Sequence, residues 1–228
     1  MQLSLTQPSS WILLLLLVMN LFLWKNVASV PMCAMRNARC FTFFEDTFEL
    51  AGSLSHNISG EVSELFTEFE NHYAKVPRLK DKGLMRCHTS SLSIAENKEQ
   101  AKHTHYEALL KSGHMILNAW ESPLENLVRE LSATENVPDT IISKATNIKT
   151  KINAVQKGVN SLMSSMLQNG DEEKNNPAWS RLPLLQPGNE DARIRSFYGM
   201  ISCLDNDFKK VDIYLNVLKC YMLKIDNC

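Results

Sequence analysis

The stretch "IRSFYGMISCLDNDFKKVDIYLNVLKCYMLKI", Ile194 to Ile225, decides the fold class. Ile194, Tyr198, Ile201, Leu204, Phe208, Val211, Leu215, Leu218, Met222 and Ile225 step by three or four residues without a break, the spacing of one apolar stripe along a helix. The same rhythm appears in Phe41, Phe44, Phe48, Ala51, Leu54, Ile58, Val62, Leu65 and Phe69, which predicts a first helix reaching about Tyr73. Ile141, Ala145, Ile148, Ile152, Val155, Val159, Leu162 and Met166 mark another, opened by Pro138 and Asp139 and closed before Asn169-Gly170. Between these, Leu109, Ile116, Trp120, Leu124 and Leu127 predict a helix from near His105 to Leu131, kinked at Pro123. No alternating strand pattern competes, so the class is all-α.

The connections set the topology. The second and third predicted helices are joined through "ATENVP", about six residues, which makes them antiparallel neighbours. About 30 residues separate the first and second helices, and about 20 separate the third and fourth. A helix of 28 residues is about 42 Å long and an extended chain covers about 3.3 Å per residue, so each long link can run back the full length of a helix. Two such crossovers are what an up-up-down-down four-helix bundle needs, the long-chain cytokine topology.

Ahead of the bundle, residues 11–24, "WILLLLLVMNLFLW", form an apolar run of 14 residues, short for a bilayer-crossing helix and placed as the core of a secretory leader. Ala28 and Ser29 predict cleavage after Ser29, giving a leader of residues 1–29 and a mature domain of residues 30–228 that does not insert in a membrane. The preceding "MQLSLTQPSS" lacks Lys and Arg, which leaves a signal anchor as the rival reading. The mature chain would hold 199 residues, enough for one well-filled core, with a net charge of −2. That balance argues against a nucleic-acid binder, which gathers basic excess on one face.

All six cysteines, Cys33, Cys40, Cys87, Cys203, Cys220 and Cys228, follow the leader into an oxidising lumen, so three disulfides are expected. Six cysteines allow fifteen pairings, and proximity favours Cys33 with Cys40 and Cys220 with Cys228, which leaves Cys87 for Cys203. No C-x-x-C or H-x3-H spacing accompanies them, so no metal site and no cofactor are expected. His103-x-His105 lacks a third ligand at useful spacing, and Glu45, Asp46 and Glu49 suit a helix start without any catalytic role. With every cysteine paired, a Cys/His nucleophile is unavailable, so an enzyme is not expected.

Six segments in order carry a family signature: "CHTSSL" (Cys87 to Leu92), "ENKEQA" (Glu96 to Ala101), "AWESPLENLVREL" (Ala119 to Leu131), "ISKA" (Ile142 to Ala145), "PAWSRLPLLQ" (Pro177 to Gln186) and "DIYLNVLKC" (Asp212 to Cys220). Together they resemble the prolactin branch of the growth hormone and prolactin family, over essentially the whole mature chain. "VPMCAMRN" (Val30 to Asn37) and "FEDTFELAGSLSHNIS" (Phe44 to Ser59) are similar to a placental, prolactin-related subgroup of that branch. The resemblance implies the disulfides Cys33–Cys40, Cys87–Cys203 and Cys220–Cys228, and a secreted hormone that binds a cell-surface receptor and promotes proliferation or angiogenesis.

The resemblance also directs attention to two surfaces. In prolactins the helix-four stretch corresponding to "KKVDIYL" carries a receptor-binding histidine that can share zinc. Here Lys209 stands in its place, a charged donor and a poor metal ligand, which counts against direct prolactin-receptor action, the lactogen alternative. Lys210, Asp212 and Tyr214 match and are candidate receptor contacts; the bland alternative is solvated helix positions, with Lys209 and Asp212 paired locally. The second surface surrounds Asn57-Ile58-Ser59, the one N-glycosylation acceptor in the sequence. At "CHTS", His88 stands where asparagine would complete another acceptor. The placental subgroup implies recognition of phosphorylated mannose by the mannose-6-phosphate/insulin-like growth factor II receptor, so Asn57 would carry that route alone. A protein that sequesters glycosaminoglycan is a further class, to which a net charge of −2 gives little support.

Overall fold

The computed structural model describes residues 38–80, 87–166 and 189–225. The chain divides into two compact units, Met1–Ala34 and Met35–Cys228, and every described residue belongs to the second. Among the described residues there are six helices and no strand: α1 (Ala38–His72), α2 (Lys98–Lys102), α3 (Tyr106–Ala119), α4 (Glu121–Ser132), α5 (Asp139–Met166) and α6 (Glu190–Leu223).

The periodic stripes become the core. Phe44, Phe48, Ile58, Val62, Leu65 and Phe69 of α1 are buried, as are Ile141 to Leu162 of the α5 stripe and Ile194 to Leu218 of the α6 stripe. Each fully buried Phe, Leu or Ile contributes about 1.5–3 kcal/mol, so these stripes hold the bundle together. At the far end of α6 the stripe runs out of cover, and Ile225 is 43% exposed.

Interhelical polar pairs give the helix directions. Along α1, Glu49, Ser55, Ser63 and Glu70 meet Lys219, Asp212, Asp205 and Tyr198 of α6, so residue numbers rise on one helix as they fall on the other. Glu61 meets Lys151 and Glu68 meets Lys144 and Thr140, so α5 also runs against α1. Asn118 of α3 meets Gln156, and Glu125 of α4 meets Lys149, so α3 and α4 run against α5 in turn.

One expected helix is two. The segment predicted as a single kinked helix breaks at Trp120, three residues ahead of Pro123. Proline has no N–H to donate to the carbonyl four residues back, which is Ala119. That carbonyl instead accepts from His88 Nε2 at 3.1 Å, while Trp120 N–H closes a tight turn to Leu117 at 3.2 Å. The short α2 was not expected from periodicity. It is built by capping: Asn97 Oδ1 accepts from Gln100 N at 3.0 Å, and Gln100 Oε1 accepts from Glu96 N at 2.8 Å.

Candidate functional site

Helix α6 presents two polar rows to two different neighbours. The first row faces α1. Asp212 Oδ1 accepts from Ser55 Oγ at 3.1 Å and from Asn216 Nδ2 at 2.7 Å, and its other oxygen lies 3.2 Å from His56 Nδ1. Asp205 accepts from Ser63 Oγ at 2.5 Å and from Lys209 Nζ at 2.6 Å. Further along, Tyr198 donates to Glu70 at 3.0 Å, and burial with that carboxylate pushes the Tyr198 hydroxyl up to about 12. The Lys80 ammonium holds Glu70 below the usual carboxylate range.

The second row, Cys203, Asp207, Lys210, Tyr214 and Tyr221, fastens the crossover between α1 and α3. Cys87 is bonded to Cys203, with Cα atoms 5.5 Å apart. Thr89 Oγ1 donates to Asp207 at 2.5 Å, and Trp120 Nε1 donates to the same carboxylate oxygen at 2.7 Å. Lys210 Nζ lies 2.6 Å from Glu96. The Tyr214 hydroxyl donates to the Ala95 carbonyl at 2.5 Å and accepts from the Ala95 N–H at 3.1 Å, with Ser93 Oγ at 3.2 Å. Tyr221 stacks on Tyr106, ring centres 5.2 Å apart. From Cys87 to Tyr106 the crossover therefore climbs α6 in the same direction as the helix. Burial raises the Asp207 carboxyl, against the opposing pull of the hydrogen bonds from Thr89 and Trp120. Burial also lowers the His88 imidazole, against its bond to Ala119.

The four candidate receptor contacts differ in exposure. Tyr214 is fully buried and Lys210 is 7% exposed, so neither offers a surface contact. The single apolar stripe hides the reason: α6 is covered on a second side by the crossover and α3, so residues between the stripes turn inward as well. The Asp212 side chain is 18% exposed and that of Lys209 is 54% exposed. Nor do Lys209 and Asp212 pair; Lys209 reaches back one turn to Asp205 instead, and Asp212 belongs to the α1 seam.

Asn57 faces Lys151 of α5, whereas its neighbour His56 faces Asp212 of α6. Asn57 is exposed, and its Oδ1 accepts from Lys151 Nζ of α5 at 2.9 Å. The pairings Cys33–Cys40 and Cys220–Cys228, and the leader, lie outside the described residues. His88, Trp120 and Asp207 were not anticipated as a cluster, although "CHTSSL" and "AWES" held two of them in plain view.

A disulfide-fastened all-α bundle is an architecture that helical protein hormones use. The chain is a member of the somatotropin hormone family, whose model matches residues 16–228. It is 77% identical to Prolactin-2C2 of Mus musculus over 225 residues, 99% of each chain, and 77% identical to Prolactin-2C3 of the same species over 222 residues, 97% of each. Prolactin-2A1 of Rattus norvegicus is 44% identical over 229 residues, covering both chains fully. Members of this family are hormones and not enzymes; they are secreted and act through cell-surface receptors. No described helix is long and apolar enough to cross a membrane.

Proposed function

We propose that the chain is a secreted hormone of the proliferin type, released after loss of residues 1–29 and acting on cell-surface receptors to stimulate proliferation and angiogenesis in pregnancy. The mature domain is residues 30–228, an up-up-down-down bundle with disulfides Cys33–Cys40, Cys87–Cys203 and Cys220–Cys228. Support for the topology comes from the helix directions, with α5 and α6 both running against α1 and α3 running with it.

The observation that carries the functional reading is the inward turn of the α6 row. A prolactin-type contact through "KKVDIYL" would have Lys209 as its one largely exposed side chain there, since Lys210 and Tyr214 hold the crossover. Asn57, by contrast, is exposed. Recognition therefore runs through the Asn57 glycan, bearing phosphorylated mannose, to the mannose-6-phosphate/insulin-like growth factor II receptor. The test is binding of the secreted protein to cells expressing either that receptor or the prolactin receptor, with free mannose-6-phosphate as competitor and Asn57→Gln alongside. Loss of binding with both competitor and substitution supports the glycan route. Prolactin-receptor binding indifferent to both would establish a lactogen acting through Lys209 and Asp212.

A further inference from the structure

We propose that the glycan on Asn57 lies back along an exposed apolar strip of α1, formed by Leu54, Leu50 and Phe43, and serves as the cover of that strip. The inference rests on Asn57 being glycosylated and goes on to say what the sugar's protein-proximal end touches.

Leu50 is 62% exposed and Phe43 is 41% exposed, and a lone exposed apolar residue of this kind is ordinary. Their alignment is the observation. Phe43, Leu50 and Asn57 are spaced by sevens, so each sits within about 20° of the same line down the helix. Leu54, half-buried, fills the turn between Leu50 and Asn57. The attachment point thus belongs to the strip.

Three features direct the sugar toward Leu50 and away from Glu64. Every Cα–Cβ bond of a helix tilts toward its N-terminus, so the Asn57 side chain leans toward the Leu50 end. Lys151 of α5 donates to Asn57 Oδ1 at 2.9 Å, so the α5 side of the attachment point is occupied. The neighbouring track on α5 is also low. In the antiparallel register Gly158 stands two turns from Lys151 as Leu50 stands two turns from Asn57, and a Cβ on Gly158 would meet nothing within 4 Å. Asn57 and Leu50 are about 10.5 Å apart along the axis, a span the first two N-acetylglucosamine units cover with their apolar faces and acetyl methyls. The α1–α6 seam, with Asp212 and Lys209, stays outside this cover.

The test uses the full-length protein secreted from mammalian cells, with Leu50→Ser made in parallel. Intact mass establishes the glycan, and an amidase that removes N-glycans then strips it from the folded protein. Stripping is expected to raise anilinonaphthalene sulfonate fluorescence about twofold and to shift sedimentation toward dimers, because an uncovered apolar strip binds dye and self-associates. In Leu50→Ser both changes are expected to vanish. Unchanged dye binding and sedimentation after stripping would overturn the cover while leaving glycosylation intact, and so would changes that persist in Leu50→Ser. A mass showing Asn57 bare would overturn the glycan reading and the cover together.

Discussion

Removing one oxygen atom tests whether α6 holds the crossover through Tyr214. In Tyr214→Phe the ring still fills its site, but the hydroxyl that donates to Ala95 C=O and accepts from Ala95 N–H is gone. Both backbone groups belong to buried Ala95, where no helix ladder offers a replacement. Leaving a buried donor or acceptor without a partner costs about 1–3 kcal/mol per group, so two orphaned groups predict a loss of about 2–6 kcal/mol. For a domain near 200 residues each kcal/mol moves Tm by about 2–4 °C, which places the expected fall at about 4–24 °C. Urea denaturation followed by circular dichroism reads the loss, and hydrogen exchange at the Ala95 amide reads its location. A loss under about 0.5 kcal/mol with unchanged exchange would refute the fastening, since surface changes fall in that range. If stability held while receptor binding fell, Tyr214 would be a contact residue after all.

Three further outcomes follow from the same geometry. Burial favours neutral His88, so as pH falls below about 6.5 the unfolded chain takes up its proton first and stability drops toward the lowered folded value; in His88→Gln the fall in urea midpoint between pH 7.5 and 5.5 is expected to be shallower, and equal slopes would refute it. Replacing Cys87 and Cys203 by serine reopens a link between residues 116 apart and is expected to cost about 5 kcal/mol on the loop-entropy model, measured by the same denaturation. Lys144→Ala removes a pair with Glu64 and Glu68 whose partners are 39%, 69% and 32% exposed, so the expected loss is under about 1 kcal/mol, and a loss above about 2 kcal/mol would show that this pair is coupled to the core.

The parts of the fold that repeat were legible in the sequence. Stripes of eight to ten residues at helical spacing placed α1, α5 and α6 within a few residues of their ends, because burial of one face is a periodic demand. Features that depend on one hydrogen bond were not. The break at Trp120 follows from Pro123 together with His88, a residue 31 positions from the carbonyl it satisfies, and no local pattern joins them. Five-residue α2 is too short to show a period and exists by its caps. At the candidate site, exposure of Asn57 was readable because Ile58 had to face the core. Burial of Lys210 and Tyr214 was not, since both are polar and stand off the apolar stripe.

Their polarity has a cause in what they cover. Residues 203, 207, 210, 214 and 221 repeat by three, four and seven, so they form a second helical row as regular as the first. The apolar stripe meets other helices, whose backbone groups are already paired, so apolar side chains make up most of that contact. The second meets a crossover without a ladder of its own, whose N–H and C=O groups require partners once buried. A thiol, a carboxylate, an ammonium and a phenol supply a covalent bond, an acceptor for Thr89 and Trp120, a partner for Glu96, and both bonds for Ala95. Polar residues at helical spacing on an otherwise apolar helix thus mark contact with irregular backbone as readily as contact with a receptor. The two are separated by whether substitution lowers stability or lowers binding.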